Sequence, residues 1–190
     1  MTDTQFWIIL GVTIILFVIT WIFLFNPFRK FKAIFKKKTL AEEKIAIIQN
    51  IIIALDNLSN IKRGATIILD DIDETNDYIA DYEYLNSEVT SNLITNIFEG
   101  VNTPLHDGAI VINNGKMKSA SAFISKLSNK KVPSQFGTRH RSALGLSEVT
   151  GAVIIVLSEE TKNIHIFYKG KFEKINKSNL FEKIYEKWVK

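Results

Sequence analysis

Residues 6–25 form an apolar run without a single charge, and a run of that kind has to leave water. At about 1.5 Å per residue, a helix of this length matches the roughly 30 Å hydrocarbon core of a bilayer. Trp7 and Trp21 lie near its two ends, where indole rings favour the membrane interface. A cleavable secretory leader is the competing reading. Against it, no basic segment precedes the run and no small-residue cleavage site succeeds it. The chain continues instead into Arg29, Lys30, Lys32, Lys36, Lys37 and Lys38, a cluster expected to stay on the cytoplasmic side. The pattern predicts a transmembrane anchor over 1–28, a basic juxtamembrane linker over 29–38 and one cytoplasmic domain over 39–190. The protein would then be a single-pass component of the cell membrane.

The net charge of +4 belongs to that collar. From Thr39 onward there are 18 basic and 19 acidic residues. The domain is therefore almost neutral, and the basic balance points to a membrane surface and not to nucleic acid. Cysteine is absent. This excludes disulfides, thiolate nucleophiles and cysteine-type zinc sites.

Beyond the collar, Thr39-Leu40-Ala41-Glu42 matches a capping box. Ala41, Ile45, Ile48, Ile52 and Leu55 then recur at helical spacing, predicting a helix over 40–58. Residues 65–69 form a short apolar run typical of a buried strand. Residues 70–84 are acidic and polar and read as a loop. Asp70, Asp71 and Asp73 hint at a calcium loop, but its glycine and closing glutamate are missing. A second helix is expected over 87–98. Strands are expected over 108–112 and 117–124, joined by the hairpin turn Asn113-Asn114-Gly115. A polar loop occupies 125–136, and a helix opening at the Arg139-His140-Arg141 loop runs to about Thr150. Further strands are expected over 152–157, 164–168 and 172–175, with His165 a structural residue on one of them. A last amphipathic helix carries Leu180, Ile184 and Trp188. Alternating helices and strands with intruding hairpins predict an α/β domain with a mixed central β-sheet flanked by helices.

Chemistry concentrates in three places. Gly137-Thr138-Arg139-His140-Arg141 sets a glycine, a hydroxyl and two guanidinium forks just before a helix. Backbone N–H groups, the helix dipole and bidentate arginines together suit a phosphate chain. In an extended loop both guanidinium groups could point to one side; an exposed basic turn is the plainer alternative. Asp107 precedes Gly108 and Ala109 at the mouth of a strand, where a carboxylate could bind a divalent ion or accept a proton from a sugar hydroxyl. Ser158-Glu159-Glu160 closes a buried strand, a place where ligands collect on open sheets. No Walker A loop and no Gly-x-Ser-x-Gly elbow is present, so those nucleotide and hydrolase classes are excluded.

Taken together, residues 102–109 (Asn-Thr-Pro-Leu-His-Asp-Gly-Ala), Gly137-Thr138-Arg139-His140-Arg141, Leu146-Ser147-Glu148-Val149-Thr150 and 156–161 (Val-Leu-Ser-Glu-Glu-Thr) resemble the diadenylate cyclase family in order and spacing. The likeness extends over about 40–168 and is closest to the membrane-anchored branch, in a form with one span instead of three. Gly151 stands where that branch often has aspartate. The resemblance implies a diadenylate cyclase-like domain that condenses two ATP molecules into cyclic di-3′,5′-AMP and two pyrophosphates. It implies catalytic roles for Asp107, Gly108, Arg139, His140 and Arg141. It places ATP against Asp107, Gly108, Ala109, Phe123, Ile124, Thr138, Arg139, His140, Arg141, Ser158 and Glu160. It makes His106, Asp107 and Glu160 candidate ligands for Mn2+ or Mg2+. It further implies a homodimer in the active state, because each ATP must meet a second one, and leaves regulatory protein partners open. A membrane-tethered nucleotide sensor without turnover, or an anchor that recruits a partner through its last helix, are the alternatives.

Overall fold

A computed structural model describes residues 2–25, 27–100 and 103–189, with the backbone alone over 23–25 and 27–39. Asn102 and the side chains of the basic collar lie outside that description. Helix α1 (Asp3–Phe25) contains a 20-residue stretch of mean hydropathy 2.3, none of it buried. That length and composition fit the expected membrane anchor. Helix α2 (Pro27–Asn60) begins well before the predicted start. Lysine and arginine are good helix formers, so nothing in 29–38 breaks the backbone helix there.

The residues from Glu42 onward form one compact unit. Strands β1 (Ala65–Leu69), β4 (Ala109–Asn113), β5 (Lys116–Ile124), β6 (Val153–Leu157), β7 (Ile164–Tyr168) and β8 (Lys171–Ile175) fall close to the predicted positions. Two further strands lie where the sequence predicts none: β2 (Ile79–Ala80) and β3 (Glu83–Glu88). Both lie on the outer side of β5. Strand β3 is mostly exposed, so no apolar alternation betrays it. Its presence moves the start of helix α3 to Ser91, and the helix runs to Glu99 with Thr90 as N-cap.

The sheet order is β2-β5-β4-β1-β6-β7-β8, with β3 also on β5. Strand β1 is parallel to β4 and antiparallel to β6. Alternate residues sort the core into two layers. On one face Ile67, Leu69, Ile110, Ile155 and Ile166 meet α2, α3 and helix α5 (Leu180–Trp188). Ile48, Ile51, Ala54, Leu55 and Leu58 form the buried stripe of α2, so the predicted Ile45 and Ile52 sit on its margin. On the other face Ile68, Val111, Ile154, Val156 and Phe167 meet helix α4 (Thr138–Val149). A single helix covers that face, which leaves room beside it.

The segment between β5 and α4 lies across α4. The Ser128 amide donates to the Arg141 carbonyl at 3.1 Å, and the Ser128 hydroxyl pairs with Glu148 at 2.7 Å. Gly145 permits this approach: a Cβ there would stand 2.7–2.8 Å from the backbone of residues 126–128. Asp70 does not open a calcium loop. It is buried, and its carboxylate accepts from the amide and hydroxyl of Thr75 at 2.8 and 2.7 Å. Replacing Gly145 by alanine should push the 126–128 segment off α4 at a cost of about 1–3 kcal/mol. A thermal melt of Gly145→Ala is expected to fall by several degrees; an unchanged midpoint would refute the close approach.

Candidate functional site

Because β1 and β4 run opposite to β5 and β6, the N-terminal ends of the first pair and the C-terminal ends of the second meet at one edge of the sheet. The N-terminus of α4 arrives at the same edge. Between them lies a cavity of about 720 Å³, within the usual range for a small-molecule site. Asp107, Gly108 and Ala109 line it from the start of β4. Ala122, Phe123 and Ile124 line it from the end of β5, Thr138, Arg139 and His140 from α4, and Ser158, Glu159 and Glu160 from the turn after β6. Segments more than 50 residues apart in sequence thus share one space.

Asp107 comes after a single 3-10 turn, Pro104–His106, and is exposed toward the opening. Gly108 has φ +134, and a Cβ there would meet the Ser121 carbonyl carbon at 2.6 Å. Glycine is therefore demanded by the neighbouring strand. Phe123 is 60 % exposed and Leu127 50 %; both line the opening and give it an apolar lip.

The Thr138-to-Arg141 segment is the first turn of α4, not an extended loop. Residues two apart on a helix point roughly 200° from one another. Arg139 accordingly lines the cavity, while Arg141 is exposed and outside its lining. The Arg139 guanidinium lies over Gly64, where a Cβ would stand 2.8 Å from it. It pairs with Glu159 at 3.4 Å, and Glu159 also faces Arg63 at 3.9 Å. The N-cap is Gly137, with no side-chain cap bond. The first N–H groups of α4 thus remain free for an anion.

His140 is buried, stacked on Phe136 at 4.4 Å and edge-on to His165 at 5.2 Å. Phe167 and Phe172 close the cluster. Burial, then the Arg139 charge, lowers the His140 pKa, so it stays neutral at pH 7. Burial and the charges of His140 and Lys174 push His165 down to about 4. His140 Nε2 and the Thr66 hydroxyl are buried without a partner, and both residues line the cavity. Unpaired buried polar atoms mark a place where a ligand or water is needed.

His106 lies outside the lining, with Nδ1 2.5 Å from the Thr103 carbonyl oxygen. Among the described residues no three His, Asp or Glu side chains gather as a metal cage. Asp107, Glu159 and Glu160 nonetheless line the same space as the Arg139 guanidinium. Sequence reasoning does not single out Thr66, Gln135, Ser142 or Leu127. Their place arises from the sheet order and the close approach at Gly145, which no local pattern announces.

Comparison with known proteins shows the family and the fold. A match to the family DAC, described as DisA bacterial checkpoint controller nucleotide-binding, spans residues 52–172. The cyclic di-AMP synthase CdaA of Bacillus subtilis is 35% identical over 117 residues, 62% of this chain but only 42% of that protein. A diadenylate cyclase of Mycoplasma genitalium is 33% identical over 142 residues, 75% of this chain and 70% of that protein. The crystal structure of a double mutant of DacA from Staphylococcus aureus superposes with a TM-score of 0.71 at 30% identity. It covers 77% of this chain and 98% of that one.

The imidazole pair has a measurable signature. Below the ordinary histidine value of about 6.5 the unfolded chain gains protons that buried His165 refuses down to about pH 4, and His140 is lowered in the same direction. Stability should therefore fall as pH drops through that window. His165→Phe is expected to flatten the decline of the melting midpoint between pH 6.5 and 4.5; parallel wild-type and variant curves would refute the neutral pair.

Proposed function

This chain belongs to the DAC family, the diadenylate cyclases, and we propose that it condenses two ATP molecules into cyclic di-3′,5′-AMP with release of two pyrophosphates. The observation that carries this reading is that Asp107, Thr138, Arg139, Ser158 and Glu160 line one cavity. The free N–H groups of α4 and the Arg139 fork receive the phosphates. The apolar lip of Phe123, Ile124 and Leu127 takes the adenine. Asp107 takes the proton of a 3′-hydroxyl as its oxygen bonds to the α-phosphorus of the second ATP and the bond to pyrophosphate breaks. A second such displacement closes the ring.

Both displacements need each nucleotide to present its sugar edge to the other. Two copies related by a twofold axis meet that condition reciprocally, so the active species is a homodimer. The N-terminal helix holds the protein at the cell membrane with the catalytic domain in the cytoplasm. Confinement there raises the effective concentration of the protomers.

The cavity is acidic: Asp107, Glu159 and Glu160 outnumber Arg139, and His140 is neutral. A triphosphate would be repelled unless a cation joined it. Two carboxylates without a full cage suit Mg2+ or Mn2+, which keep waters and share phosphate oxygens. Asp107 and Glu160 would hold the ion, which would neutralise charge developing on the phosphates.

The test uses the full-length protein in detergent with ATP and Mn2+ or Mg2+, reading cyclic dinucleotide by mass spectrometry. Wild type should form product, and EDTA should stop it. Asp107→Asn should lose at least about 100-fold in rate while its ATP-induced thermal shift persists. ATP binding without turnover in wild type would instead mark a tethered sensor.

A further inference from the structure

Ser121 adopts φ +53 in the middle of β5, a left-handed conformation that serine rarely takes inside a strand. The pairing register explains where this occurs. Ala109 faces Ala122 and Val111 faces Ser119, so the single residue Ile110 stands opposite two, Ala120 and Ser121. This is a β-bulge, a device that re-aims side chains beside sites. Here it turns the Ser121 hydroxyl toward the segment that carries Asp107. The hydroxyl lies 2.9 Å from the Pro104 carbonyl oxygen and 3.0 Å from that of Asp107. One proton is thus shared between two carbonyls that bracket the 3-10 turn. The main chain of Ser121 meanwhile presses on Gly108, at the distance that forbids a side chain there. Among the described residues, the other backbone tie of Asp107 is its amide to the Pro104 carbonyl at 3.2 Å.

We propose that Ser121 is a positioning residue: its hydroxyl fixes the Pro104–Asp107 turn and so aims the Asp107 carboxylate into the cavity. The inference rests on the assignment of Asp107 to the reaction. Ser121 is not among the lining residues and touches no substrate; it acts through the backbone of its neighbour. Loss of the hydroxyl leaves the phosphate seat on α4 untouched and loosens only the general base. A small misplacement of a reacting group costs on the order of 10- to 100-fold in rate.

Two substitutions separate the hydroxyl from the strained backbone. Ser121→Ala keeps the strain and removes the donor. Ser121→Gly removes both, so it should be at least as stable as the alanine variant. In the full-length protein, both variants are expected to lose roughly 10-fold or more in kcat with KM for ATP and the ATP thermal shift near wild type. A merely structural residue would make activity track stability, with glycine active and alanine impaired; that pattern overturns the proposal. So does wild-type kcat in both variants while Asp107→Asn is inactive. Full activity of Asp107→Asn would instead remove the premise, an outcome read independently of Ser121.

Discussion

The site depends on one pairing: β1 lies between a parallel neighbour, β4, and an antiparallel one, β6. If all three ran the same way, Asp107 and the Ser158–Glu160 turn would stand at opposite ends of the sheet. The mixed arrangement brings the entrance of β4 and the exit of β6 to the same edge. The usual rule that ligands gather at the carboxyl ends of strands therefore holds here only for β5 and β6. The strands on either side of the cavity are fully buried at its back, with Ile68, Ile110, Ile154 and Ile155 inaccessible. Densely packed strands hold backbone ends in fixed places, which is what a site assembled from four separated segments requires.

Much of this is legible in the chain. The runs Ala65–Leu69 and Val153–Leu157 read as buried strands because both faces of the sheet are covered, so every position must be apolar. The hairpin at Asn113–Gly115 announces itself through turn chemistry, with Asn114 and Gly115 both at positive φ. Strand β3 does not, because an exposed edge needs no apolar alternation. The motif residues Asp107, Arg139, Ser158 and Glu160 are visible as chemistry, and their convergence is a property of strand order that spacing does not encode. The conformation of Ser121 has no compositional signal at all. The divergence of Arg139 and Arg141 is hidden because polar residues in a first helical turn look like loop; once the helix begins at Thr138, the 3.6-residue period sends the two side chains apart.

Gly151, singled out in the sequence by the family resemblance, has a defined place in the fold. Its amide donates to the Glu74 carboxylate, and a Cβ would stand 3.0 Å from that carboxylate. An aspartate here would face a like charge. Glycine lets Glu74 fasten the loop after β1 to the end of α4. Position 151 precedes β6 and Glu74 comes after β1, whereas the cavity lies beyond the opposite ends of both strands. Glycine at 151 therefore bears on how the far end of the sheet is tied, away from the cavity and its lining residues.

The cavity is polarised along its length, and that polarity restricts what fits. Toward β5 it offers Ala122, Phe123, Ile124 and Leu127; toward α4 and β6 it offers a guanidinium, free helix N–H groups and carboxylates. A bare phosphate would leave the apolar lip in water, and a purely apolar ligand would leave Thr66 and His140 unpaired. A molecule with a flat base at one end and a polyanion at the other satisfies both halves. The pairing of Arg139 with Glu159 adds a further condition. An incoming phosphate has to offer Arg139 more than an exposed carboxylate does, and such surface pairs are worth at most about 1 kcal/mol. In the proposed reaction a divalent ion accompanying the triphosphate would help clear that threshold, by offsetting the repulsion from Glu159 and Glu160 as the guanidinium changes partner.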